Sequence, residues 1–215
     1  MDPNKKKSLS LKAKRVIENL AKRNITGMYV DSCREACDAV RQMIPKNSLV
    51  GLGGSTTLIE SGILNTLREM EIRLLDRYSE GISSAEIHEM RHKGLTADVF
   101  LASANAITLD GRLVNEDGIG NRVAAMCFGP PKVIIVAGVN KIVNDVEEGV
   151  RRIKTIAAPA NCLRFGTDTP CSRTGVCDDD NCRPPTRICS QICIIENDFS
   201  PDRIHVILIG EELGF

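Results

Sequence analysis

The stretch from Asp98 to Lys141, DVFLASANAITLDGRLVNEDGIGNRVAAMCFGPPKVIIVAGVNK, sets the strongest limit on what this chain can fold into. VFLAS is a short apolar run of the kind that forms a buried strand. AITLDGRLVN contains Asp110-Gly111, the signature of a tight turn between two strands. EDGIGNR then reads as a polar loop, RVAAMCF as a short helix and KVIIVAG as an apolar strand. A polar, glycine-rich loop held between buried strands and a helix is where α/β proteins place their chemistry.

The flanking sequence repeats the strand–helix alternation. Leu9–Asn24 has helical spacing, residues 27–30 predict a strand, and a helix capped by Asp31 or Ser32 runs to about Met43. Ser48–Leu52 is a strand, Leu58–Met70 a helix with a weak point at Gly62, and Ile72–Leu75 a strand. Ser83–Glu86 opens a helix to about Gly94. Asn144–Ile156 is an amphipathic helix, and IHVILI (residues 204–209) is a final buried strand. This order predicts an α/β fold, a Rossmann-like and mainly parallel sheet with helices on both faces. With 215 residues the chain suits one domain spanning 10–215. A flexible basic tip (1–9, with Lys5–Lys7) precedes it, and a Cys-rich loop insertion (159–195) interrupts it.

Composition narrows the partners. Acidic and basic residues balance at 28 each and aromatics are 3%, so neither a field nor a stacking platform for nucleic acid is present. No apolar run reaches the ~20 residues that span a bilayer, and no secretory leader is visible, which predicts a cytoplasmic protein without membrane contact. Nine cysteines in that compartment are reduced thiols or metal ligands rather than disulfides.

Three groups could carry chemistry. The first is Gly53, Gly54, Ser55 and Thr56, between a strand and a helix. Glycines let a backbone approach an anion and the hydroxyls add donors; the other reading is a tight turn with Ser55 or Thr56 as helix cap. The second is Asn105, Asn115, Glu116, Asp117, Asn121, Arg122 and Lys141. A carboxylate facing an arginine and a lysine suits acid/base work, with Glu116 and Arg122 as the catalytic candidates, or recognition of a substrate carboxylate. A structural loop with Asp117 as cap and Arg122 paired to Glu116 is the alternative. The third is C-x5-C-x4-C-x6-C-x3-C from Cys171 to Cys193, which lacks the C-x2-C knuckle of zinc ribbons. Cys171, Cys177, Cys182 and Cys189 suit a [4Fe–4S] cluster, with zinc or no metal as alternatives; Cys193 sits in the apolar run ICII. Three lesser features read as structural. Cys33 and Cys37 pack on one helix face, His88 and His92 lie on a solvated helix without a third ligand, and Asp76 caps a turn.

SANAITLDGRLVNEDGIGNRVAA and FGPPKVIIVAGVNKIV, with GLGGSTTLIESGIL upstream and APAN, TPCSRTGVC and RIC downstream, resemble the LUD domain (lactate utilisation, DUF162) family. The resemblance implies the fold of sugar-phosphate isomerases and CoA transferases. It further implies binding of a small anionic metabolite in lactate or organic acid oxidation, with electron transfer to a redox partner protein; a homodimer is compatible with this. The related isomerases carry a catalytic aspartate where Asn105 stands here. An amide cannot exchange that proton, which speaks against isomerase chemistry. CoA transferases use a glutamate nucleophile, and Glu116 is the nearest counterpart, so a transferase is one alternative function. A non-catalytic regulatory or assembly subunit, with zinc or no metal, is another.

Overall fold

The computed structural model describes residues 2–177 and 181–215; Asp178–Asp180, expected to make the cysteine segment acidic, lie outside them. In chain order the elements begin α1 (Pro3–Ala21), β1 (Thr26–Val30), α2 (Cys33–Met43), β2 (Leu49–Leu52), α3 (Thr56–Glu60), α4 (Ile63–Arg68), β3 (Arg73–Leu74) and α5 (Ser84–Gly94). The middle of the chain gives β4 (Val99–Ala102), β5 (Ala106–Thr108), β6 (Leu113–Asp117), α6 (Asn121–Phe128), β7 (Lys132–Gly138) and β8 (Ile142–Val143). Then come α7 (Val146–Arg152), α8 (Ala158–Phe165), α9 (Pro170–Thr174), β9 (Gln191–Ile195) and β10 (Ile204–Ile209), with a π-helical turn at 153–157 joining α7 to α8.

Six parallel strands form the main sheet, in the order β1-β10-β7-β4-β2-β3. Side chains alternate between its two faces with the strand period of two. Val133, Ile135 and Ala137 of β7 join Val206 and Leu208 of β10 beneath α1 and α6, through Val16, Leu20, Ala125 and Met126. Ile134, Val136, Ile207 and Ile209 face the other way, toward Ala36, Val40, Leu58, Ile63 and Leu67 of α2, α3 and α4. A strand buried on both sides reads as an uninterrupted apolar run, which is why KVIIVAG and IHVILI contain so little polarity.

A second, four-stranded sheet, β8-β5-β6-β9, is mixed. Its β5–β6 hairpin turns at Asp110-Gly111, and Gly111 has φ +88° with room for no methyl: a Cβ would lie 2.8 Å from the Asn19 backbone. β9, the strand leaving the cysteine segment, pairs antiparallel with β6 and aligns Asn115 with Cys193, Glu116 with Ile192 and Asp117 with Gln191.

Several sequence expectations change. Residues 3–9, read as a flexible tip, are the first turns of α1, capped by the Asp2 carboxylate on the Asn4 and Lys5 amides at 2.9 and 3.1 Å. The helix expected over 58–70 is two short ones broken at Gly62, whose φ of +76° no helix accommodates. The 159–195 insertion starts inside α8 and is partly helical through α9. Glu116 and Asp117 belong to β6 rather than to a loop and are each 8% exposed, because β9 supplies the ladder partner that extends the strand. Among the described residues no helix is long and apolar enough to cross a membrane.

Candidate functional site

A cavity of about 420 Å³ opens beyond the carboxyl ends of β2 and β4, bounded by the glycine turn, β6, the start of α6, α8 and Phe215. Open α/β sheets place ligands at this edge. Gly54, Ser55, Thr56, Asn105, Glu116, Asp117, Asn121, Arg122 and Lys141 all line it. Gly53 and Asn115 stand behind the wall: a methyl on Gly53 would meet Ala102 at 3.0 Å, and Asn115 is fully buried. Ser55 caps α3 by accepting from the Leu58 amide (3.2 Å), while Thr56 Oγ1 is buried in the cavity wall without a hydrogen-bond partner.

Arg122 is the hub of the polar wall. Its Nε donates to Asp117 Oδ1 at 2.9 Å, Nη1 to the Ser103 carbonyl and Asn115 Oδ1 at 2.6 and 3.1 Å, and Nη2 to Asn105 Oδ1 and the Glu116 carbonyl at 2.7 and 3.1 Å. Asp117 also accepts from the Arg122 and Val123 amides, both at 3.0 Å, and so caps α6. In the alternative reading Arg122 pairs with Glu116; the structure instead pairs it with Asp117, since consecutive strand residues point to opposite faces. A guanidinium this fully occupied holds Asn105 and Asp117 in place, a positioning role.

Glu116 points the other way, to Lys154 of the π-helical turn. Its second oxygen, Oε2, is buried with no partner, and the residue lines the cavity. A π-helical turn interrupts a helix and re-aims its side chains, and such turns concentrate at functional sites. Here it faces Lys154 toward Glu116 and Ile153 toward the cavity.

Lys141 is 2% exposed. Its Nζ donates to Thr57 Oγ1 and Ser103 Oγ at 2.9 and 3.0 Å, with no carboxylate in contact among the described residues. Burial, reinforced by Arg152 and Arg122 and only partly offset by Glu60, pushes its ammonium down to about 7. At that value the amine holds or releases a proton near neutrality, the property required of an acid/base group.

A second cavity, about 310 Å³, adjoins the first and shares Ile188 and Cys189 with it. Cys171, Cys177, Cys182 and Cys189, distant in sequence pattern, all line this one space, together with Cys162 and Lys154. Cys162 lies on α8 with its Sγ 3.6 Å from that of Cys171; sequence reading passed over it because it belongs to no cysteine-spaced motif. Burial pushes the Cys171 and Cys189 thiols up, with Lys154 pulling Cys189 partly back. Among the described residues no three ligand side chains converge on a point that would hold a single ion. Cys193 points elsewhere, its Sγ 3.3 Å from that of Cys127 on α6. Three arginines, Arg77, Arg91 and Arg164, also line the first cavity; they come from three separate segments, and sequence reading did not bring them together.

No curated protein sequence matches the chain. Among solved structures, a DUF162 family protein from Deinococcus radiodurans is similar over 94% of this chain and 98% of that one, at 15% identity and a TM-score of 0.53. At that identity the likeness concerns the fold. eIF2B delta from Chaetomium thermophilum matches 55% of this chain and 50% of that one, at 18% identity and a TM-score of 0.35. The LUD domain model matches residues 13–209, nearly the whole of the fold described above, and the chain belongs to the LUD domain family.

Proposed function

We propose that this LUD domain binds a small anionic metabolite in the first cavity and holds an iron–sulfur cluster in the second, acting in the cytoplasm in the oxidation of lactate or a related organic acid with a redox partner protein. Membership of the family supports a role related to lactate utilisation in general terms. The observation that carries the finer reading is the shared wall: Cys189 and Ile188 border both the polar cavity and the cysteine-lined one.

The four cysteines around one space are a donor set that such a cluster would use. Zinc needs four ligands about 2.3 Å from one centre. A cluster spreads its thiolates over several irons, which suits cysteines placed around a 310 Å³ space. Cys171, Cys177, Cys182 and Cys189 would hold it, and when bound it would supply one-electron transfer. The chain's own groups do the rest. Asn105, held by Arg122, offers its amide to the ligand; Lys141 holds or takes up a proton; Ile188 separates the two spaces.

Iron and sulfide analysis of anaerobically prepared protein tests this. The expected result is iron and sulfide in the wild type, a visible absorption bleached by dithionite, and loss of both metal and colour in Cys177→Ser and Cys189→Ser but not in Cys193→Ser. One zinc per chain and no colour would support a regulatory or assembly subunit instead. A second reading rests on Glu116 Oε2, a buried carboxylate oxygen without a partner in the wall of the ligand cavity. With Oε1 held by Lys154, the second oxygen suits a nucleophile of acyl transfer. Acyl-CoA exchange lost in Glu116→Gln is the result that selects it.

A further inference from the structure

The charges lining the first cavity do not balance. Arg122 is neutralised by Asp117 and Glu116 by Lys154. Among the described residues no carboxylate forms an ion pair with Arg77, Arg91 or Arg164, although all three line the space. They repel one another: Arg77 lowers the basicity of both Arg91 and Arg164, adding to the effect of burial, which is the larger cause in each.

Arg77 lies beside the glycine turn, so that a methyl on Gly54 would touch its Nη1 at 3.4 Å. It follows directly on Asp76, which accepts from Arg68 Nε and from the Tyr78 amide at 2.8 and 2.9 Å and so fixes the start of this segment. The Tyr78 hydroxyl accepts from the Ser55 amide at 2.7 Å, fastening the same segment to the turn. Arg164, the most exposed of the three, stacks on Phe165 at 4.1 Å and donates to Asn161 Oδ1 at 2.7 Å. Arg91 reaches in from α5, and its Nε is buried with no acceptor among the described residues. Thr56 Oγ1, in the same wall, is likewise buried and unpartnered. Two buried polar atoms without a partner among the described residues and three guanidinium groups without a counter-carboxylate line one cavity, a donor set suited to an acceptor-rich anion.

We propose that Arg77, Arg91 and Arg164, with Thr56, form a phosphate subsite, and that the metabolite taken by this cavity carries a phosphate ester. The proposal rests on the reading of the first cavity as an anion site and names the class of anion. A phosphate monoester brings a charge near −2 and three terminal oxygens, which match several forked donors. A carboxylate brings one charge and two oxygens, which would leave cations unpaired. Beyond the phosphate, the rest of the ligand would extend toward Asn105 and Lys141.

Titration calorimetry at fixed ionic strength tests it, using inorganic phosphate and, separately, lactate as probes. The expected result is one phosphate per chain, bound roughly 10-fold or more weakly by Arg91→Gln and by Arg77→Gln, the effect of removing a charge-assisted donor. Arg173→Gln, at an exposed arginine paired with Asp168 away from the cavity, should leave phosphate binding unchanged, and Arg91→Lys should recover part of the loss. Equal phosphate affinity in the wild type and both glutamine variants overturns the subsite. Lactate binding without phosphate binding also overturns it, while leaving the anion site standing. Failure of both probes overturns the subsite and the anion site together.

Discussion

Replacing Lys141 by methionine should flatten a pH dependence of stability that the wild type carries. Lys141 is buried against Thr57 and Ser103, and its ammonium is pushed down to about 7; in an unfolded chain a lysine titrates near ~10.4. Between those values the unfolded chain binds the proton and the folded one does not, so stability rises with pH. The burial cost is therefore fully felt below about pH 7 and is relieved as pH climbs toward ~10.4. Integrated from pH 7 to pH 9, this one group should add about 2 kcal/mol to the unfolding free energy. Methionine fills similar space and brings no charge. The two hydroxyls it abandons lie 3.5 Å apart, and Thr57 Oγ1 is also 3.4 Å from the Leu213 carbonyl, so neither is stranded. Urea unfolding of both proteins at pH 7 and pH 9, in buffers free of phosphate and carboxylates, gives the comparison; other titrating groups cancel in the difference. The wild type should gain about 2 kcal/mol on the variant across that interval. A difference that stays constant, or falls with pH, would refute the argument that Lys141 is held near neutrality by burial.

Other perturbations have outcomes of known sign. Asp117→Ala leaves the Arg122 guanidinium buried without its counter-ion and should cost about 3–5 kcal/mol in urea unfolding. Gly138→Ala places a methyl 2.6 Å from the Glu211 carbonyl and 2.7 Å from the Leu213 amide; overpacking of this kind costs ~1–3 kcal/mol, read as a lowered melting temperature. Ser83→Ala removes the capping box at the start of α5 and should cost ~1 kcal/mol, with unchanged phosphate affinity because Arg91 lies two turns further along.

The main sheet was legible in the sequence because its central strands are buried on both faces and its helices carry local stop and start signals. KVIIVAG, IHVILI and the Asp110-Gly111 turn needed no distant partner to be recognised. The second sheet was not legible in the same way. β9 is mostly exposed, with the pattern broken by Gln191 and Cys193, and it becomes a strand by pairing with β6, seventy-odd residues earlier in the chain. That same pairing drew Glu116 and Asp117 out of the expected loop. In the cavity, the residues of the central stretch could be grouped because they are neighbours in sequence. Arg77, Arg91 and Arg164 could not, since they come from three separate segments that only the fold brings to one cavity, and Cys162 enters the second cavity from α8. The four motif cysteines were grouped by spacing, and that they line one space depends on how the segment from α9 to β9 folds back on α8, which spacing does not encode.

The position of β10 bears on how the molecule is made. It is the last strand in sequence, yet it lies between β1 and β7 and pairs with both along its length. During synthesis β1 and β7 leave the ribosome well before the segment that must separate them. Until residues 204–209 arrive, each presents an open row of backbone donors and acceptors and an apolar flank. Helices α1 and α2 can form early, but the seam of the sheet closes only once residues 204–209 have emerged. Ribosome-bound intermediates ending before Ile204 are thus the species in which strand β7 is most exposed to mispairing and to chaperones.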